Sequence, residues 1–123
     1  MSLDYHTVLT RLEAIERDLA ERQLGYERAA EDLHRTKRDY ELRLATVKQT
    51  VDADTETAKK DRAIIAIAAS DDGLYGRMRD AEARYESLRA AVSVLEKRAS
   101  IGQSLLRSLT REAGPQPAWS DAA

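Results

Sequence analysis

Cysteine and phenylalanine are absent from this sequence of 123 residues, whose only aromatic side chains are five tyrosines and one tryptophan. Without cysteine there is no disulfide, no thiol nucleophile and no cysteine-bound zinc. Charged residues make up 34% of the chain, so the sequence is too polar for a compact monomeric globule. This composition is typical of long helices and coiled coils, and the length allows one domain at most.

Long apolar runs are also absent. The longest run covers residues 63–69, far short of the roughly 20 residues that are needed to cross a bilayer. Residues 1–4 contain neither the basic nor the hydrophobic region of a signal peptide. We therefore expect a cytoplasmic protein that has no membrane partner.

The sequence offers few residues suited to catalysis or metal binding. Its two histidines, His6 and His34, are far apart and lack the spacing of paired metal ligands. The glycines are isolated, so there is no glycine-rich phosphate loop. Residues 52–56 resemble part of a calcium loop but lack its central glycine, and we interpret them as a helix cap. The sequence predicts a protein that is not an enzyme and that has no cofactor and no metal site.

Two long apolar stripes dominate what the sequence does contain. Every seventh residue from Tyr5 to Val47 is large and apolar. From Leu74 to Ala113, apolar or small residues recur at alternating spacings of four and three. Such spacing predicts helices whose apolar faces pack against other helices, as in a coiled coil.

Self-association is the expected way of closing these stripes, because two helices cannot enclose a core. The later stripe is flanked by a second apolar set that includes Val94 and Ile101, and a helix that is apolar on two sides needs partners on both. We expect a homo-oligomeric helical bundle or ring. The residues predicted at the oligomer interface are Leu12, Leu19, Tyr40, Tyr85, Leu88, Val92, Leu95, Ile101 and Leu105.

The predicted architecture is all-α, with a long helix over residues 3–51, a short helix over 58–69 and a second long helix over 74–112. Together they form a single elongated helical domain over residues 1–113. The remaining residues, 114–123, contain two prolines and are predicted to be a flexible tail.

Two features of this architecture leave alternatives open. Gly25 costs the first helix about 1 kcal/mol relative to alanine, which a long helix tolerates, but it is also a position where the helix could bend or break. The isoleucines at 64, 65 and 67 are compatible with a short strand, although the neighbouring alanines favour a helix.

Charge along the first helix is unevenly distributed. Residues 1–32 carry eight acids and four bases, whereas residues 33–50 carry five bases and two acids. The basic segment is a candidate surface for phosphates, which lysine and arginine contact without reading sequence. The alternative is an ordinary solvated face whose cations pair with acids of a neighbouring subunit. The candidate nucleic-acid-binding residues are Arg35, Lys37, Arg38, Arg43, Lys48, Lys59, Lys60 and Arg62.

The order of these features resembles a known family. A long helix with the basic stretch Tyr40-x-x-Arg43-Leu44 is followed by a polar turn, a short helix and an acidic cap. The last helix then ends in Ile101-Gly-x-Ser-Leu-Leu-Arg107. Over roughly residues 30–112 this layout resembles the UvsY-type recombination mediators of tailed phages.

The resemblance implies a ring-shaped homo-oligomer that binds single-stranded DNA without sequence preference. Members of the family help a recombinase to displace the single-strand-binding protein. Their DNA-binding motif is Lys-x-Arg-Leu. Residues 41–44 of this chain correspond to that motif, with Glu41 in the position of the lysine. Arg43 is therefore the basic residue that the resemblance carries over directly.

Two functions follow as hypotheses. The first is a non-sequence-specific single-stranded DNA-binding protein that acts as a bacteriophage recombination mediator in the host cytoplasm, with a recombinase and a single-strand-binding protein as partners. The alternative is a non-enzymatic coiled-coil structural or adaptor protein, for phage assembly or host interaction, without nucleic-acid binding.

Overall fold

The structure is a computed structural model that describes residues 4–112. This part of the chain is 88% helical and contains three helices and no strand, which confirms the predicted all-α class. The helices are α1 (Tyr5–Lys48), α2 (Glu56–Ala68) and α3 (Leu74–Glu112). The tail predicted at 114–123 lies outside the described residues.

Helix α1 begins where a side chain satisfies a free backbone N–H group. The backbone N–H of Thr7 donates to Oδ1 of Asp4 at 2.7 Å, as in an N-cap. The helix then continues through Gly25 without interruption, so the alternative of a break at that glycine is wrong. A Cβ added at Gly25 would lie 4.0 Å from Cδ2 of Leu88, an ordinary contact distance.

Helix α1 ends at Lys48, three residues before the predicted end at 51. The backbone N–H of Thr50 donates to the carbonyl oxygen of Val47 at 2.9 Å, and the Thr50 hydroxyl donates to the same oxygen at 2.8 Å. The tightened turn and the competing hydroxyl end the α-helical pattern.

Capping residues also set the start of the other two helices. The Thr55 side chain accepts a hydrogen bond from the N–H of Ala58, so α2 begins at Glu56, two residues before the predicted start. All three isoleucines of the strand alternative lie within α2, so that alternative is wrong. Gly73 precedes α3 with a φ of +72°, a conformation that glycine adopts readily.

Contacts divide the chain into two compact units. The central unit is Gly25–Arg89, and the described part of the terminal unit combines residues 4–24 with residues 90–112. That all three helices make up a single domain stays a prediction.

The central unit builds its core from all three helices. Ala63 and Ile67 of α2 are buried in it, at 0% and 2% exposure. The other buried apolar residues of the unit come from α1 and α3 and are Ala29, Leu33, Leu74, Met78 and Ala81. Helices α1 and α3 run antiparallel in this unit, because Tyr26 contacts Tyr85 while Tyr40 contacts Tyr75.

The terminal unit buries apolar residues between the first half of α1 and the second half of α3. Its buried residues are Val8, Leu12, Val92, Leu95 and Ala99. A Cβ added at Gly102 would lie 3.0 Å from Cδ1 of Leu12, which shows how closely the two segments approach. Large apolar side chains stay exposed in the same unit, with Ile101 at 67%.

Candidate nucleic-acid interface

The three cations Arg35, Lys37 and Arg38 lie within one turn of α1 in the central unit. All three are exposed, and within residues 4–112 none of them forms an ion pair. In the part of the chain that the structure describes, no acidic side chain lies within ion-pair distance of these three charges. They are among the predicted binding residues that the structure leaves exposed.

Arg43 is held differently, although the family resemblance singles it out. Its guanidinium donates to Oδ2 of Asp72 at 2.5 Å, and the two side chains are 41% and 35% exposed. The other oxygen of Asp72, Oδ1, accepts the backbone N–H of Leu74 at 3.0 Å. This hydrogen bond to Leu74, followed by the hydrogen bond to Arg43, lowers the pKa of Asp72 below its ordinary value.

The two lysines Lys48 and Lys59 meet at one carboxylate. Nζ of Lys48 is 3.2 Å from Oε2 of Glu56, and Nζ of Lys59 is 3.8 Å from Oε1. The start of α2 therefore lies close to the end of α1. Glu56 is itself 77% exposed, and ion pairs in such positions are weak.

The last two candidates lie further along α2. Arg62 donates to the backbone carbonyl oxygen of Asp52, so part of its guanidinium holds the connector that precedes the helix. Lys60 is exposed and forms no ion pair within the described residues.

Helix geometry separates these cations into groups. Lys48 is eleven residues from Lys37, which places both on one face of α1, whereas Arg43 lies about 120° around the helix from Lys37. Lys48 accordingly meets Glu56 at the start of α2, while Arg43 meets Asp72 just before α3. The eight predicted residues thus occupy several surfaces of the central unit.

Tyrosines near the basic segment are engaged with each other. The hydroxyl groups of Tyr26 and Tyr85 share a hydrogen bond of 2.9 Å, and their rings stack with centroids 5.2 Å apart. That hydrogen bond raises the pKa of Tyr26, and burial raises the pKa of Tyr40, whose ring lies 6.3 Å from that of Tyr75. These four half-buried rings contribute to helix packing rather than forming an open platform for bases.

The predicted oligomer-interface residues fall into three classes of burial. Leu12, Val92 and Leu95 are buried within a single chain, so their burial does not require a second copy. Ile101 is largely exposed. The half-buried residues are Leu19, Tyr40, Tyr85, Leu88 and Leu105. Their role in an interface stays a prediction.

Sequence reasoning missed the acids that pair with the basic segment. Asp72 belongs to the acidic cap that precedes the last helix, and its contact with Arg43, 29 residues away, has no local signal in the sequence. Arg77 is a further cation near Arg43 that the sequence did not single out, and it donates to the backbone carbonyl oxygen of Asp72 at 2.6 Å.

Comparison of the chain with known proteins identifies no relative. No family model, curated protein or solved structure matches the chain. Among residues 4–112 there is no group of three or more acidic or histidine side chains placed to hold a metal ion. Within the same range, no helix combines the length and apolar character that a membrane span requires.

Proposed function

We propose that this protein binds single-stranded DNA without sequence preference and has no catalytic activity of its own. The observation that carries the proposal is the clustering of three exposed cations, Arg35, Lys37 and Arg38, within one turn of α1, where none of them forms an ion pair within residues 4–112. Each of these cations can neutralise a phosphate and release a counterion, which supplies affinity without reading bases.

The resemblance to recombination mediators gives this binding a biological role. In that role the protein helps a recombinase to replace the single-strand-binding protein on DNA, in a phage-infected cell. The residues that support the resemblance, including Arg43, lie on α1 and α3 in the structure.

The test neutralises the trio and measures binding to an oligo-dT strand by fluorescence anisotropy over a range of salt. The triple variant Arg35→Gln, Lys37→Gln and Arg38→Gln is expected to lose most of its affinity. The slope of log K against log salt should become shallower by about 2, because three phosphate contacts at about 0.7 each are removed.

A matched control removes three other exposed arginines of α1 that form no ion pair within the described residues. These are Arg11, Arg17 and Arg28. Their replacement by Gln changes the net charge equally but is expected to preserve the salt slope. If the wild-type protein binds no long single strand at about 50 mM salt, where phosphate contacts are strong, the DNA-binding proposal is wrong.

Self-association belongs to the same proposal. Val94 and Ile101 are seven residues apart on one face of α3 and are 47% and 67% exposed in the single chain. We propose that this face packs against another copy, because apolar side chains in such a row gain from being removed from water. Light scattering tests it: a mass of 13.8 kDa at micromolar concentration contradicts it, and Ile101→Asp is expected to reduce the mass of an oligomer without loss of helicity.

The second candidate is a structural or adaptor protein without nucleic-acid binding. It is favoured by the observation that Arg43, Lys48 and Lys59 are each paired with an acid of the same chain. Cations that are engaged in this way serve the fold. Absence of binding to oligo-dT, together with a stable oligomer, would support this candidate over the first.

A further inference from the structure

An open cleft in the central unit lies beside the ion pair of Arg43 and Asp72. The cleft has a volume of about 360 Å³. Its lining residues come from the last turns of α1 and the first turn of α3, and they are Asp39, Leu42, Arg43, Thr46, Leu74 and Arg77. It therefore places two guanidinium groups on one concave surface.

Asp72 lies between these two guanidinium groups. Its carboxylate accepts a hydrogen bond from Arg43, and its backbone carbonyl oxygen accepts one from Arg77. A phosphodiester, like a carboxylate, offers a pair of oxygens that carry negative charge, and guanidinium groups bind both with similar geometry. The carboxylate thus holds Arg43 in the manner in which a phosphate would.

We propose that this cleft is a binding site for one phosphate of single-stranded DNA, and that Asp72 occupies the Arg43 guanidinium until the phosphate displaces it. The proposal rests on the proposed function and adds two residues to it, Arg77 as a second phosphate ligand and Asp72 as the internal competitor. In the free protein the negative charges of Asp39 and Asp72 balance the positive charges of the two arginines. The cleft therefore attracts anions only weakly until Asp72 is displaced.

The physical consequence is that Asp72 lowers the affinity for DNA without touching it. Both members of the pair are partly exposed, so the pair itself is weak and a phosphate can replace it. Removing the charge of Asp72 frees Arg43 to bind the strand, whereas the hydrogen bond of Arg77 to the backbone carbonyl oxygen of residue 72 is unaffected.

Asp72→Asn is a suitable variant because asparagine keeps the hydrogen bond to the N–H of Leu74 that precedes α3. Asp72→Ser serves as a second variant with a capping side chain, and circular dichroism verifies that both remain helical. Each is expected to bind oligo-dT about two- to fivefold more tightly at low salt, the range that an exposed ion pair allows. The gain should shrink as salt rises and so steepen the salt slope, because salt screens the Arg43–Asp72 pair that competes with the phosphate in the wild-type protein.

The control is Asp71→Asn, which changes the net charge equally at the neighbouring, exposed position. It is expected to have a smaller effect and to leave the salt slope unchanged. Two double variants test the ligands of the phosphate. The gain in affinity from Asp72→Asn should vanish when Arg43→Gln is added, and it should shrink when Arg77→Gln is added instead.

Two outcomes overturn the proposal. If Asp72→Asn and Asp71→Asn raise the affinity equally, or if the gain persists without Arg43, the cleft is not the site, although wild-type binding would still support the proposed function. If neither the wild-type protein nor any variant binds oligo-dT, the proposed function and this inference fail together.

Discussion

Three helix segments make up the central unit, whereas the described part of the terminal unit, residues 4–24 and 90–112, has two. In the central unit, side chains of different helices or connectors also form polar contacts, including Tyr26 with Tyr85 and Arg43 with Asp72. In the described part of the terminal unit, side-chain hydrogen bonds stay within one helix or its cap.

The two units also differ in how many large apolar side chains they leave exposed. The terminal unit exposes Tyr5, Leu24, Val94 and Ile101, and the central unit exposes Leu42 and Ile65. A third helix covers apolar surface that two helices cannot cover by themselves. The comparison indicates that, within the described residues, the central unit covers its large apolar side chains more completely than the terminal unit does.

The largest expected effect is at the centre of the three-helix core. Ile67→Ala is expected to lower the free energy of unfolding by about 2–5 kcal/mol, because it removes buried methyl groups and leaves a cavity. The matched control on the same helix is Ile65→Ala, where the side chain is 67% exposed and the change should stay within about 0.5 kcal/mol. Urea unfolding measures both, and equal losses would contradict the assigned core.

The terminal unit is tested at Leu12, which is buried against α3. Leu12→Ala is expected to cost about 2 kcal/mol, at the low end for a buried leucine because the two-helix unit can relax around the cavity. Hydrogen exchange should become faster in residues 4–24 and 90–112 and change little in residues 25–89.

Leu24→Ala is the control for that change, since Leu24 belongs to the same unit and is 51% exposed. It should leave exchange rates nearly unchanged. Uniform acceleration over the whole chain in Leu12→Ala would show that the two units unfold together.

Replacing a helical glycine by alanine should change the free energy of unfolding by a smaller amount, and by different amounts in the two units. Gly25→Ala in the central unit should stabilise the protein by about 1 kcal/mol, because alanine favours the helix and its Cβ meets only Leu88 at 4.0 Å. Gly102→Ala in the terminal unit should gain less, since its Cβ would lie 3.0 Å from Cδ1 of Leu12, which must shift. Thermal unfolding ranks the two, and a larger gain at Gly102 would contradict the close approach.

The smallest expected effect is the acid dependence of Asp72. Its pKa is lowered below 3.8 in the folded protein, first by the Leu74 N–H and then by Arg43. A lowered folded pKa means that the stabilisation is present above the unfolded value and is lost as the pH falls through the folded value. Asp72→Asn should therefore weaken the dependence of the melting temperature on pH below about 4; an unchanged profile would contradict it.

Much of the fold was predictable because the signals are local. Helix class follows from apolar spacing and composition, and the stripe residues Leu74, Met78, Val92 and Leu95 are indeed buried. What the spacing does not specify is which helix covers a stripe, since the same pattern suits a partner in the same chain or in another one. The closure of these residues within one chain was missed for that reason.

The candidate site was less predictable, because it depends on pairs that are distant in sequence. The sequence identified the cations, and the exposure of Lys37 agrees with a residue on a solvated face. It gave no sign that Arg43 would meet Asp72, because that contact depends on how the connectors between α1 and α3 place the start of α3. The pairing of Lys48 with Glu56 depends in the same way on the connector before α2.

The arrangement of the units along the chain has a consequence for biosynthesis. The central unit is one continuous stretch of the chain, residues 25–89, so it can begin to fold once residue 89 has left the ribosome. The contact of Leu12 with Gly102 joins residues 90 positions apart, and the first half of α1 has no partner until α3 is complete. At about 5–20 residues per second, residues 90–112 take roughly one to five seconds to be synthesised. During that interval Val8 and Leu12 face water on the nascent chain, which makes this segment the part of the protein most open to chaperones or to premature association between neighbouring ribosomes.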